Sequence, residues 1–130
     1  MTVIKVDTLE RFSLSDFPRP FERFFATKPH AKDPTVYEQI IYRCATCKNE
    51  IEFFEKDFIK HSHSRFTNLL DKDKQLIDNY TNEYSLTAFS FLDFYCVKCK
   101  KPISVFFKGG YGGRHGEFIC SIEFVLEINS

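Results

Sequence analysis

The sequence predicts an α+β fold in which an antiparallel sheet carries a helical insertion between two pairs of cysteines. Three observations support this prediction. From about residue 86 onward, apolar residues alternate with a period of two, as they do in strands. Between residues 54 and 80 they recur at three- and four-residue steps, as they do in amphipathic helices. Four of the five cysteines form two Cys-x-x-Cys pairs on either side of this helical region.

The cysteine pairs have the strongest chemical meaning in the chain. Four soft thiolates in two chelating pairs are the ligand set of a tetrahedral Zn²⁺ site. Two intervening residues let one tight turn aim both sulfurs at the same ion, and N–H groups of the turn offset part of the negative charge. We therefore expect one structural zinc ion, with four ligands: Cys44, Cys47, Cys96 and Cys99.

Other uses of the cysteines remain open, although zinc is favoured over them. A redox dithiol needs one pair at a helix N-terminus, and neither pair has that setting. Disulfides and iron in a rubredoxin-like site are further alternatives. The first seven residues lack the apolar region of a secretory signal, and no stretch approaches the ~20 apolar residues of a membrane span. We expect a cytoplasmic protein with reduced thiols and no membrane partner.

Length and charge limit the classes of function. The 130 residues suit one domain that is small enough to gain stability from a metal. Lys and Arg total 18, as do Asp and Glu, which argues against a simple nucleic-acid binder. Residues 37–95 hold ten acids against seven bases. The cysteines have basic neighbours, which either balance the thiolate charge or contact phosphate: Arg43, Lys48, Lys98, Lys100 and Lys101.

Residues 1–36 are expected to form an extended arm that precedes the zinc-stabilised body, residues 37–130. Four of the five prolines lie in this arm, and they forbid long regular structure after a short first strand. Its five phenylalanines need burial, either on the domain or in a partner. Phe21 and Phe24 are the candidate partner contacts.

The body is predicted to contain a strand on each side of each cysteine pair. Residues 37–43 enter the first pair and 49–54 leave it, while 87–95 enter the second pair and 103–107 leave it. Between the pairs lie 48 residues, against the roughly 12 to 20 of compact zinc modules. The excess predicts one or two helices over about residues 55–84. Ser64 and Thr67 are candidate N-caps, with Asp71 and Asp73 in a first turn.

The last strand is expected over residues 117–128. One face reads as apolar from Phe118 to Ile128 and includes Cys120 as a packed thiol. The other face carries Glu123 and Glu127. This pattern predicts a sheet with one face in water.

All five glycines lie within residues 109–116. The segment does not match the G-x-G-x-x-G fingerprint, because the third glycine position is His115 and no helix follows. We expect a loop between the last two strands. It is either a mobile hairpin tip or a recognition loop that presents Tyr111, Arg114 and His115 to a partner.

The two Cys-x-x-Cys turns resemble the knuckles of the zinc-ribbon superfamily. The resemblance covers about a third of the chain, and it departs from the usual pattern because Lys48 and Lys100 stand where glycine commonly follows the second cysteine. It implies one structural zinc ion in a ribbon-like fold. It implies no particular function, because zinc ribbons serve many.

We do not expect an enzyme. Four thiolates close a tetrahedral shell and leave no position for a catalytic water, and the sequence lacks the common hydrolase and nucleotide-binding motifs. The whole chain resembles, in type, the immunity proteins of bacterial toxin systems. That resemblance implies a protein that binds and neutralises a cognate toxin, with the acidic segment toward a basic partner. The alternative is a zinc-ribbon module that binds nucleic acid or assists transcription.

Overall fold

The computed structural model of the protein describes residues 2–6, 10–13, 25–28, 39–63, 65–86, 89–111 and 118–129. These residues form an α+β structure of two antiparallel sheets and two helices. The helices are α1 (Glu55–His63) and α2 (Asp71–Glu83). The strands are, in chain order, β1 (Thr2–Val6), β2 (Glu10–Ser13), β3 (Phe25–Lys28), β4 (Gln39–Arg43), β5 (Glu50–Phe54), β6 (Ser90–Tyr95), β7 (Pro102–Tyr111) and β8 (Phe118–Asn129).

Strand β8 organises the larger sheet, whose order is β1-β8-β7-β6. One edge of β8 pairs with β7, and the other pairs with β1 and then with β2. The smaller sheet has the order β3-β4-β5. Three segments of the N-terminal arm are therefore strands of the two sheets.

Strand β8 is buried on both faces between residues 124 and 128, so the expectation of one face in water was wrong. Phe124, Leu126 and Ile128 form a cluster with Ile77 of α2. Val125 lies in a second cluster with side chains of α1 and the smaller sheet. The larger sheet is thus the middle of three layers, with α2 on one face and the smaller sheet with α1 on the other.

A β-bulge changes the alternation of side chains along β8. Phe106 pairs with Phe124 and Phe107 pairs with Ile122, so Glu123 is an extra residue in β8. Such an insertion moves the residues before it to the opposite face. Ile122, which the period of two placed beside Phe124, accordingly packs in the other cluster.

Two of the glycines predicted to lie in a loop are strand residues. Strand β7 continues to Tyr111, and Gly109 and Gly110 pair with Cys120 and Ile119 of β8. Hydrogen bonds between strands are made by backbone groups and require no side chain, so glycine residues can pair in a sheet. The glycine content of this segment therefore led to a wrong prediction of a loop at these two positions. Residues 112–117, with Arg114 and His115, lie outside the described part of the chain, as does the side chain of Tyr111.

The open edge of the larger sheet, along β6, is covered by side chains from α1 and the segment after it. Three carbonyl groups at alternate positions of this edge each accept a hydrogen bond, from His61 Nδ1 to Phe91 O (3.0 Å), from Arg65 Nη2 to Phe89 O (2.8 Å) and from Asn68 Nδ2 to Asp93 O (2.9 Å). Unpaired edge groups are a template for pairing with another chain. These contacts satisfy the outward carbonyls of Phe91 and Asp93 in β6 and of Phe89 just before it.

The start of α2 differs in detail from the sequence prediction. Leu70 occupies the N-cap position without a side-chain hydrogen bond, so Thr67 is not the cap, and Ser64 lies outside the described residues. The Thr67 hydroxyl instead donates to buried Asp93 at 2.5 Å. Asp71 and Asp73 lie in the first turn, as predicted. Tyr95 of β6 donates its hydroxyl to Asp73 and accepts from Leu70 N at 2.9 Å, which ties α2 to the larger sheet.

The buried imidazole of His61 makes the stability of the fold depend on pH. Burial lowers the pKa of this imidazole below the usual 6.5, against the opposing effects of the Phe91 carbonyl and the nearby Asp93 and Asp57 carboxylates. The unfolded chain therefore takes up a proton near pH 6.5 that the folded chain takes up only at lower pH. The contribution of neutral His61 to the free energy of unfolding is therefore complete above about pH 6.5. It is lost as the pH falls toward the pKa of His61 in the folded chain.

We expect His61→Gln, which keeps an N–H for the Phe91 carbonyl, to abolish this part of the pH dependence. The free energy of unfolding in urea, measured at about pH 5.5 and about pH 7.5, should fall more on acidification for the wild type than for the variant. Equal losses in the two proteins would contradict the assignment to His61.

Candidate metal centre

Each cysteine pair forms a tight turn between two paired strands. The first turn, which we call knuckle 1, joins β4 to β5, and the second, knuckle 2, joins β6 to β7. The two turns share the same pair of backbone hydrogen bonds, from Cys44 N to Asn49 O (2.9 Å) and Lys48 N to Cys44 O (3.0 Å), and from Cys96 N to Lys101 O (2.9 Å) and Lys100 N to Cys96 O (2.8 Å). Equal spacing in the sequence has produced equal geometry.

Lys48 and Lys100 take the left-handed backbone conformation that glycine commonly supplies in such turns. Each has φ of 64°. For a residue with a Cβ atom this conformation costs about 1 to 2 kcal/mol. Both knuckles therefore contain strained backbone at the residue after their second cysteine, and surrounding interactions must offset that strain.

The four sulfurs of the two knuckles come together at one point. All of them lie within 4.8 Å of one another, with Cys44 Sγ 3.8 Å from Cys99 Sγ and Cys47 Sγ 3.5 Å from Cys96 Sγ. A tetrahedral site with metal–sulfur bonds of about 2.3 Å has sulfurs about 3.8 Å apart. The cysteines are free thiols, since a disulfide brings its sulfurs to about 2.05 Å.

The cluster fits the ligand set predicted from the sequence, and its four thiols could hold a metal ion. It is the one group of at least three metal-binding side chains in the part of the chain that the structure describes. Cys44 and Cys96 are fully buried, while Cys47 and Cys99 are partly exposed. The centre therefore lies at the surface of the domain with its inner half in the core.

The protein environment acts differently on the thiols. Burial raises the pKa of Cys44 to about 12. Burial acts in the same direction on Cys96, but the N–H groups of Cys99 and Lys98 and the neighbouring thiols outweigh it and lower the pKa to about 7. A metal is bound by thiolates, so its binding must displace the proton of Cys44.

A buried carboxylate lies behind knuckle 1. Glu127 of β8, expected to be in water, is 3% exposed because the smaller sheet covers this face of β8. Four groups approach its two oxygens: Tyr42 Oη (2.6 Å), Ala45 N (3.3 Å), Thr46 Oγ1 (3.4 Å) and Cys44 Sγ (4.0 Å). Burial and the hydrogen bond to Glu127 raise the pKa of Tyr42, so this hydroxyl stays a donor. Glu127 thereby fastens knuckle 1 to the larger sheet.

Knuckle 2 is joined to the same network through Lys101. Its ammonium group donates to Thr46 Oγ1 at 2.9 Å and to Asn129 Oδ1 at 2.5 Å. Thr46 therefore connects Lys101 with Glu127, and both knuckles are fixed to the last residues of β8.

One sequence signal could have identified the burial of Glu127. Val125, the neighbouring residue on the same face of the strand, is apolar.

The other sequence candidates are distributed differently. Phe21 and Phe24, like Arg114 and His115, lie outside the described residues. Among the basic neighbours, Lys48 donates to Ala45 O at 3.2 Å and Arg43 pairs with Glu50 at 3.8 Å. Lys98 and Lys100 are exposed. The basic residues near the cysteines thus have different environments: some are held by contacts within the fold, and others are exposed to solvent.

Glu127 provides a test of this network. We expect Glu127→Ala to lower the free energy of unfolding of the metal-loaded protein by about 2 to 4 kcal/mol, because it leaves the buried Tyr42 hydroxyl without its acceptor and opens a cavity. Glu127→Gln keeps the shape and one acceptor oxygen, so its cost should be smaller. Urea unfolding followed by circular dichroism measures both.

Glu123→Ala is the matched control, since Glu123 is a partly exposed glutamate of the same strand. A loss for Glu127→Ala no larger than that of the control would show that the carboxylate does not fasten knuckle 1.

Comparisons with protein-family models, with curated proteins and with solved structures find no match. Among the described residues no helix is long and apolar enough to cross a membrane. The four-sulfur cluster is compatible with a zinc-ribbon-like site, and this likeness rests on the geometry of the two knuckles.

Proposed function

We propose that the protein is a zinc-stabilised module that binds another protein and has no catalytic activity. In this proposal the two knuckles are the halves of a zinc ribbon, and α1 and α2 are an insertion between them. The observation that carries it is the meeting of four sulfurs from two turns of equal geometry. Four cysteine thiolates in a tetrahedral arrangement are the ligand set of structural Zn²⁺, which has no redox chemistry.

The position of the centre supports a structural role for the metal. Knuckle 1 belongs to the smaller sheet and knuckle 2 to the larger one. An ion held by both knuckles joins the two sheets directly. Cys44 and Cys96 also pack in the cluster of apolar side chains between the sheets, so loss of the ion would disturb the core.

The surroundings of the buried polar groups support a function without catalysis. Four thiolates fill the tetrahedral shell, so a bound zinc ion would have no open position for water or substrate. His61 is bonded to the Phe91 carbonyl, and Glu127 is held by Tyr42 and knuckle 1. Asp73 and Asp93 accept hydrogen bonds from Tyr95 and Thr67. These buried titratable side chains all take part in holding the fold.

Charge favours a protein partner over nucleic acid. The chain has no net charge, so it lacks the positive field that attracts phosphate backbones. Two large apolar side chains are unusually exposed near knuckle 2, Leu70 at 62% and Val97 at 72%. A protein partner that covered these side chains would gain the free energy of burying their apolar surface.

An immunity or inhibitor protein is the most specific version of this proposal. The acidic surplus of residues 37–95 is used in part within the fold, since Asp73 and Asp93 are buried and Asp78 pairs with Lys74 at 2.8 Å. Because part of the acidic surplus is used within the fold, recognition of a toxin partner would need contacts other than those of exposed acidic side chains. The nucleic-acid alternative draws its support from the exposed Lys98 and Lys100 beside the centre.

The metal is tested by analysis of protein that is prepared reduced and without chelator. We expect one zinc per chain, and we expect unfolding when a strong chelator removes it or when Cys96→Ser removes a ligand, because binding and folding are coupled. Cys120→Ser is the control and should retain one zinc per chain. Well under one zinc per chain, or a chromophore of bound iron, would overturn the zinc assignment.

The class of partner is tested with the zinc-loaded protein. We expect an affinity matrix that carries the protein to retain one protein in stoichiometric amount from the source lysate. The same protein should pass through heparin and nucleic-acid columns without salt-dependent retention. Binding to nucleic acid that weakens steeply with salt would instead establish the alternative.

A further inference from the structure

A cleft separates the start of α2 from knuckle 2. Its volume is about 390 Å³, and its floor contains Pro102 and Ile128 of the larger sheet beside Tyr95. Leu70 lines it from α2 and Cys99 from knuckle 2. The cleft therefore lies against the metal centre, between an apolar floor and two walls from different elements.

The apolar wall at Leu70 is poorly explained by the fold itself. Leu70 is 62% exposed although it occupies the N-cap position of α2, where Ser, Thr, Asp or Asn would satisfy a free N–H group. Leucine here forgoes the capping hydrogen bond and also leaves most of its apolar surface in water. Val97, on the same turn as Cys99, is 72% exposed. Covering either side chain with a partner would remove its apolar surface from water, which is favourable in free energy.

The rim of the cleft is basic. Lys72 and Lys100 line it and are exposed, and among the described residues neither has a carboxylate within ion-pair distance. Lys101 also lines it but is committed to Thr46 and Asn129. Of the acids nearby, Asp73 is buried and accepts a hydrogen bond from Tyr95, which leaves exposed Asp71 as the main opposing charge.

We propose that this cleft binds an acidic segment of a protein partner, which inserts an apolar side chain between Leu70 and knuckle 2 and places carboxylates against Lys72 and Lys100. This inference rests on the proposed function as a protein-binding module and names its binding face. A protein segment fits better than nucleic acid because the floor is mainly aliphatic, whereas single strands bind on exposed aromatic rings. Lysine charges at such a rim chiefly select the partner and speed its association.

The zinc-loaded full chain, labelled with ¹⁵N, tests the proposal by nuclear magnetic resonance. The probe is a blocked hexapeptide with a central leucine and phenylalanine between two pairs of glutamates. We expect it to shift the amide signals of Leu70, Lys72 and Lys100, with an affinity that falls as salt is added. Peptides with alanines at the centre, or with lysines in place of glutamates, should bind at least fivefold more weakly.

Two variants remove the binding features without weakening the fold. Leu70→Ser supplies an N-cap, and Lys72→Glu places an acid in the first turn of α2, so both changes favour the helix. We expect each to lower the affinity for the probe peptide at least fivefold. The matched control is Lys56→Glu, which makes the same change at the second residue of α1 and should leave the affinity unchanged.

Three results would overturn the proposal. One is the absence of shifts at the cleft. Another is an equal loss of affinity in Lys56→Glu and Lys72→Glu. The third is a stronger response of the same amides to an oligothymidylate, which would assign the cleft to nucleic acid.

Failure of the cleft and failure of the proposed function are distinguishable. If a protein partner is captured and Leu70→Ser and Lys72→Glu bind it as tightly as the wild type does, the protein-binding function stands and the cleft is not its site. If no partner is captured, the proposed function fails, while the peptide titration still decides whether the cleft recognises an acidic apolar segment.

Discussion

The meeting of four sulfurs between two sheets is the constraint on which the rest of the structure depends. Knuckle 1 ends a hairpin of the smaller sheet, and knuckle 2 ends a hairpin of the larger sheet. Their sulfurs approach to 3.5 and 3.8 Å, which requires the two hairpins to lie at a fixed distance and angle. The apolar cluster that contains Cys44 and Cys96 is the inner continuation of the same junction. A metal ion there would hold together layers that are far apart in the sequence.

The polar groups around this junction resolve a physical conflict. A bound metal would require four thiolates, which repel one another; a buried carboxylate lies 4.0 Å from the sulfur of Cys44, and two lysines hold left-handed backbone. Glu127 is tolerated because Tyr42 and the N–H of Ala45 donate to it, and Lys101 brings a positive charge to Thr46. The same contacts hold the turns in the conformation that aims the sulfurs inward. The Glu127 carboxylate and a metal ion bound by the four cysteines would thus stabilise the same part of the molecule.

The strands beside the cysteines were predictable because their signals are local. Residues 37–43 were expected to form a strand and β4 spans Gln39–Arg43, while 49–54 corresponds to Glu50–Phe54. Other features depend on packing against distant elements. The bulge at Glu123 has no signature in the surrounding residues, and it reversed the face assigned to Ile122. Gly109 and Gly110 became strand residues because β8 pairs with them, although their composition favoured a loop.

The sequence by itself determined the ligand set of the candidate metal centre, because Cys-x-x-Cys spacing places two sulfurs on one turn wherever that turn lies. It also determined the alternation that produces an antiparallel sheet. The tertiary structure alone decided that both faces of β8 are covered, that Glu127 is a buried support of knuckle 1, and that Leu70 faces a basic cleft beside knuckle 2. These features require knowledge of which element covers which face, and that is set by long-range packing of the whole chain.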